Sequence, residues 1–492
     1  MTSSNPLRIS ILFFILAAAV VAVPFLPSTT EGLTILLVGG LLVVCSFSTA
    51  VDRLGGRFDL FELIHPICYL SFIYFGAASL YMLYDPKAAY DSRVFPYLNA
   101  SILLSIAGMA AMVYGYYLGR RLIHTRPPRQ MEVRGVLWLA AIFAMGFTGQ
   151  FAGLAAERRL LPRGALAGLV SLLQQLEGLS LVIYFLLMFL WMSGRSTPGQ
   201  KLLLALAVAP LELALVYAKV GNKSFTLIIL GMPFVAYYYA RGRLPSRSAV
   251  VMLLVTVFLI FPFYSAFRVT SRSSSIPTRA ADTVSTLTTD TPGTYAERSF
   301  FVVGQRMALI NSVAVVVREV GHTVDFQNGR TIYLTAVSLA IPRFLWPDKP
   351  SIGIGQDFAR QFGILPRFDV ETNVAITPVA EWYWNFGVLG VVVGMFLTGI
   401  FYRFIYSTLG QRSGADPFRL AIYAGILPTL MSFEGNVAGW VGTTIRLLLM
   451  SLAAYWFLGR TGTIVPLTTQ TSPRRDALPD GLSGALPQST AP

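Results

Sequence analysis

Charge is scarce in this chain. Asp, Glu, Lys and Arg make up 13% of its 492 residues, where a soluble domain carries about a quarter. With 54% hydrophobic residues, that shortage excludes a soluble globular protein. Cysteine is nearly missing: Cys45 and Cys68 each lie inside an apolar run, so neither a disulfide framework nor a thiolate metal site is expected. The three histidines, His65, His124 and His322, stand far apart without metal-ligand spacing, and no metal or other cofactor is expected. A net charge of +14 would suit nucleic acid, but its carriers are scattered through short loops between apolar runs, where membrane orientation accounts for them. Nor do two halves of the chain repeat each other in inverted fashion, as in many secondary transporters.

Long apolar runs are what the chain has in abundance. Crossing the hydrocarbon core takes about 20 apolar residues, and twelve runs qualify, centred near residues 17, 41, 73, 107, 145, 184, 209, 233, 258, 394, 427 and 449. The first, ISILFFILAAAVVAVPFL, lacks a small-residue cleavage site and is soon followed by another, so it reads as a span rather than a secretion signal. The expected fold is an all-α polytopic membrane protein. Lys and Arg collect in alternate loops, most densely in GRRLIHTRPPRQMEVR, and cytoplasmic loops carry that excess, which puts both termini in the cytoplasm. Four regions follow: helices one to nine over 1–267, a large outer loop over 268–380, helices ten to twelve over 381–460, and a polar, Pro-rich tail over 461–492 that reads as disordered.

The outer loop opens on a Ser/Thr-rich stretch, SRSSSIPTRAADTVSTLTTDTPGTY. SFFVVGQRMALINSVAVVVREV then predicts a helix lying on or dipping into the membrane, and TIYLTAVSLAIPRFLW a second. Gln305, Arg306 and Asn311 oppose a full crossing by the first, because an arginine at a helix centre costs about 2.5–3.5 kcal/mol on insertion scales. A loop of that length with its own apolar helices is usually functional.

Basic residues on the outer side run against the orientation bias and ask for a reason. Arg158, Arg159 and Arg163 sit at the outer end of the fifth run, and Lys219 and Lys223 flank Gly221 and Asn222 at the outer end of the seventh. Arg268, Arg298, Arg306, Arg330, Arg343 and Lys349 recur through the large loop. Snorkelling to lipid headgroups, or pairing within the loop, accounts for any one of them. As a set they suit an anionic, lipid-linked ligand, since guanidinium grips phosphate oxygens in pairs. Where the loop re-enters the membrane, TPVAEWYWNFGVLG sets Glu381 among Trp382, Tyr383 and Trp384, with Asn385 one turn on. The aromatics suit an interfacial belt and also a sugar face. Glu381, packed against them, is the candidate general base. Glu177, Glu212, Glu434 and Arg446 are further charges in or near spans, either structural pairs or functional groups.

IPRFLWPDKP, followed some thirty residues later by PVAEWYWNFGVLG, resembles the oligosaccharide repeat-unit polymerases of the Wzy type. The matching positions are Ile341, Pro342, Arg343, Trp346, Pro347, Lys349 and Pro350, then Glu381, Asn385, Phe386, Gly387 and Gly390. The resemblance implies a GT-C-like glycosyltransferase of the bacterial inner membrane. Such an enzyme joins undecaprenyl-diphosphate-linked repeat units into a surface polysaccharide at the periplasmic face. Its implied partners are the lipid-linked glycan, the bilayer and a chain-length regulator. On that reading Glu381, Arg343 and Arg306 are catalytic, Arg158, Arg159, Lys219, Lys223, Arg268, Arg298, Arg330, Lys349, Trp382, Tyr383, Trp384 and Asn385 bind substrate, and no metal takes part. The related O-antigen ligases carry a His near the equivalent helix start. Glu381 stands there instead, which favours a polymerase over a ligase-like transferase. A transporter of lipid-linked oligosaccharide is the rival from another class.

Overall fold

The computed structural model describes residues 31–125, 129–157, 166–219, 222–252, 254–255, 263, 267, 278, 281–285, 292–333, 341, 346, 354–366, 373–410 and 416–467. Helices make up nearly all of them. In chain order they are α1 (Glu31–Leu54), α2 (Ile64–Tyr84), α3 (Leu98–Leu122), α4 (Leu137–Glu157), α5 (Leu166–Gln174), α6 (Gly178–Met192), α7 (Pro198–Ala218), α8 (Lys223–Arg241), α9 (Pro292–Met307), α10 (Ile310–Glu319), α11 (Ile354–Gln361), α12 (Pro378–Ile405), α13 (Pro417–Met431) and α14 (Val437–Arg460). One two-stranded sheet pairs β1 (Met131–Val133) antiparallel with β2 (Ile464–Pro466). Three helices begin on one device: Thr197, Thr377 and Asp416 each accept a backbone N–H from the first turn, and a proline follows at the first helical position.

Among the described residues, eight helical stretches are long and apolar enough to cross a membrane: α1, α2, α3 with the turn before it, α4, α5 joined to α6, α7, α12 and α14. The expectation of an all-α protein with membrane-length helices is met; the twelve-span count goes beyond the eight. The runs near 233 and 427 form α8 and α13, which fall outside that group, α13 having only 15 residues. The run near 17 and most of the run near 258 lie outside the described residues.

α3 is buried almost all round, so it forms the axis of the bundle. It lies directly against α12. A Cβ at Gly115 would collide with the Phe396 carbonyl, and one at Gly399 with the Met112 carbonyl. Small residues are what let two such backbones approach.

Side-chain pairs tie the helices together at two opposite ends. At one, Arg120 binds Asp52 through both nitrogens (2.7 and 3.2 Å), and Arg120 (3.0 Å), Arg403 (3.1 Å) and the Tyr116 hydroxyl (2.6 Å) all donate to Glu62. Tyr406 donates to Asp59 at 2.9 Å in the same loop. At the other end, Arg306 meets Glu434 (2.7 Å), Arg318 meets Asp91 (3.0 Å), and Asn311 bonds Ala88 O and Tyr90 N (3.0 and 3.2 Å). These contacts place the stretch around residues 299–317. It forms two helices, Phe300–Met307 and Ile310–Glu319, bent by 44° to each other. Arg306, Asn311 and Arg318 all bond turns at one end of the bundle.

Candidate functional site

The first turn of α12 is the best-organised polar site in the loop-bearing end. Thr377 accepts from Ala380 N at 3.3 Å and starts the helix, which brings Glu381 inward. Glu381 is 0% exposed. One of its oxygens accepts from the Thr331 hydroxyl at 2.9 Å, and the other from Val437 N, the first amide of α14, at 2.5 Å. A carboxylate at a helix N-terminus is favoured by the unpaired amides there. Asn385, one turn further, donates to Thr331 Oγ1 (2.7 Å) and to Glu381 O (2.8 Å) and accepts from Gly329 N (2.9 Å). The Glu381 carboxylate, the Thr331 hydroxyl, the Asn385 amide and the Val437 and Gly329 N–H groups are thereby paired in directions that agree with one another.

Directly after Asn385 the helix breaks. Phe386 (φ −140°, ψ 15°) and Gly387 (φ 64°, ψ −153°) leave helical geometry, and the second conformation is essentially restricted to glycine. The break frees the carbonyls of Trp384 and Asn385, which accept from Gln327 N (3.0 Å) and Asn328 N (3.2 Å). The Asn385-Phe386-Gly387 triplet therefore clasps residues 327–331. Asn328, at φ 49°, and Gly329, at φ 86°, supply the tight turn that points three successive amides at α12.

The neighbours divide clearly. Arg306 is half exposed and pairs with Glu434, which stands three residues before Val437. Arg306 and Glu381 thus approach the α13–α14 turn from two helices. Trp384 is 1% exposed and packs on Phe358 and Phe362, with ring centroids 6.0 and 5.3 Å away. Trp382 stacks on Phe386 and covers Gly394. Of the three aromatics expected at an interface, Trp384 is packed inside, while Trp382 and Tyr383 are half-buried. Arg330 is exposed beside the clasp.

Lys219 belongs elsewhere, donating to Gln150 at 3.1 Å on α4. Arg298 and Lys223 lie in α9 and α8, but their side chains are outside the description, and Arg158, Arg159, Arg268, Arg343 and Lys349 lie outside the described residues. Thr331 and Val437 carry no signal in the sequence, and Glu434 stands there only as one of several charges near span ends. The Asn328-Gly329 turn dipeptide was the one local signal for the clasp.

Asp52, Glu62 and His65, at the opposite end, have ligand atoms within 4.8 Å of one another. The guanidiniums of Arg120 and Arg403 already neutralise the two carboxylates. A divalent cation there would have to displace them, so the arrangement fits an ion-pair lock and not a metal centre.

No curated protein and no solved structure matches the chain. A family model described as a domain of unknown function, DUF8712, matches residues 161–431, from before α5 to the end of α13. Arg306, Thr331, Glu381 and Asn385 fall inside that stretch, and Val437 just beyond it. With more than half of its length in the match, the chain belongs to the DUF8712 family.

Proposed function

We propose that the protein is a glycosyltransferase of the bacterial inner membrane that polymerises undecaprenyl-diphosphate-linked oligosaccharide repeat units at the periplasmic face. On this reading it has twelve spans, both termini in the cytoplasm, and residues 268–380 as a periplasmic loop. The observation that carries the reading is the clasp. The resemblance to the repeat-unit polymerases rests on IPRFLWPDKP and on the Glu381, Asn385, Phe386, Gly387 and Gly390 pattern, and within that pattern Glu381, Asn385 and Gly387 fix residues 327–331 to the bundle beside half-exposed Arg306.

The chemistry follows from charge. An acceptor sugar hydroxyl attacks the anomeric carbon of the donor, the bond to the diphosphate breaks, and negative charge grows on the departing undecaprenyl diphosphate. Arg306 exchanges Glu434 for the diphosphate and stabilises that charge, together with Arg158, Arg159 and Arg343. In the conformation described, Glu381 is a positioning residue with both oxygens engaged. Its role as base requires residues 327–333 to lift, so that an acceptor hydroxyl donates where the Thr331 hydroxyl now does.

The test is chain-length analysis of surface polysaccharide in a strain lacking the native gene, complemented by Arg306→Ala or Glu381→Gln at wild-type protein levels. Short products are expected from both. Full-length polysaccharide from both would end the proposal.

A further inference from the structure

One carboxyl group, used neither by the folding contacts nor by the proposed transfer, lies inside the bundle. Glu212 on α7 is 0% exposed, and neither of its oxygens has a hydrogen-bond partner. It sits seven residues before Lys219, about 10 Å along the helix from that outer end. The backbone around it is irregular where apolar packing alone needs no irregularity. Leu204–Val208 is a π-helical segment and Pro210 follows, and such segments concentrate at functional positions. The α5–α6 span that neighbours it is itself interrupted at Gln175–Glu177. Broken membrane helices mark binding sites in many membrane proteins.

The groups facing Glu212 are Tyr184 and Ser180 of α6 and Lys219 at the end of its own helix. The donors among them that could complete the carboxylate are committed elsewhere. Ser180 donates to Glu177 O at 3.2 Å and accepts from Gln150 at 2.5 Å. Lys219 donates to Gln150 Oε1 at 3.1 Å and lies 4.4 Å over the Phe225 ring. Behind Ser180, Glu177 pairs with Arg446 of α14 at 2.7 Å. An ionised carboxylate left without donors in a dry interior is too expensive to persist, so a cation must join it. A metal cation would find one carboxylate, a hydroxyl that donates away from it and an ammonium that repels it. A proton needs one oxygen.

We propose that Glu212 is a proton-binding site in the interior of the bundle, beside a polar chain of Ser180, Gln150 and Lys219 that leads toward the Lys219 end of α7. One carboxylate oxygen takes up one proton and nothing else is consumed. The site is independent of the transferase reading and survives its failure.

The experiment is infrared difference spectroscopy on the full chain in lipid bilayers, stepped between mildly acid and mildly alkaline buffer. The expected result is a protonated-carboxyl C=O band that comes and goes with bulk pH and is lost in Glu212→Gln. Ser180→Ala is expected to shift the band without abolishing it. A parallel arm on the wild-type protein maps dicyclohexylcarbodiimide adducts by peptide mass spectrometry. It needs no variant to fold, and modification at Glu212 is expected to slow in alkaline buffer and to ignore sodium chloride at fixed ionic strength. Absence of any band change dependent on Glu212, with no adduct at Glu212, would overturn the proposal. Protection of Glu212 by sodium at constant pH would overturn it as well.

Discussion

Glu381 joins three pieces of chain through two oxygens: its own helix, the Thr331 segment and the start of α14. Glu381→Ala strands the Thr331 hydroxyl and the Val437 amide, at about 1–3 kcal/mol for each buried group left unpaired. Thermal unfolding in detergent should show the loss, with Glu381→Gln intermediate because one acceptor oxygen remains. Gly387→Ala should cost about 1–3 kcal/mol, from backbone strain. A Cβ there would meet Phe326 only at 3.5 Å, an ordinary contact, so crowding adds little. At this scale the sequence was half legible. Glu381, Asn385 and Gly387 stand out because a carboxylate, an amide and a glycine at a membrane re-entry are unusual. Thr331 and Val437 do not, since their partners lie 50 and 56 residues away and local spacing carries no trace of the pairing. For the same reason Trp384 looked interfacial until α11 was seen to cover it.

Between elements, the closest packing is that of α3 on α12, helices that carry the lock at one end and the clasp at the other. Gly399→Leu places a side chain where the Met112 carbonyl lies, and should abolish a monodisperse peak in size-exclusion chromatography. The same change at Gly32, around which a Cβ would meet nothing within 4 Å, should leave the peak intact. Hydrophobic run length revealed where most of these helices are, because each span must bury or face lipid along its whole length. It did not reveal the breaks at Phe386–Gly387 and Gln175–Glu177 or the π segments, because window-averaged hydropathy passes over a changed backbone. Nor did it reveal that Asn311 and Arg318 bond turns at one end of the bundle.

For the molecule as a whole, the ion-paired end that holds Glu62 makes stability depend on pH. Burial pushes the Glu62 carboxyl above its ordinary 4.5, against the guanidiniums of Arg120 and Arg403. The folded protein then holds that proton more tightly than the unfolded chain does. This contribution to stability is full below pH 4.5 and declines as pH rises through the raised value. Thermal unfolding across that window should show a smaller decline in Glu62→Gln than in wild type. The proposed orientation makes its own prediction: a cysteine introduced at Asn328 should react with an impermeant thiol reagent in intact spheroplasts, and one at Glu132 only after lysis. The central claim is tested most directly by purified protein in proteoliposomes supplied with the lipid-linked repeat unit of its own host. The account predicts a ladder of multimeric glycans with release of undecaprenyl diphosphate, lost in Arg306→Ala. Substrate that crosses the bilayer, or stays bound, with its glycan never longer than one repeat would contradict it.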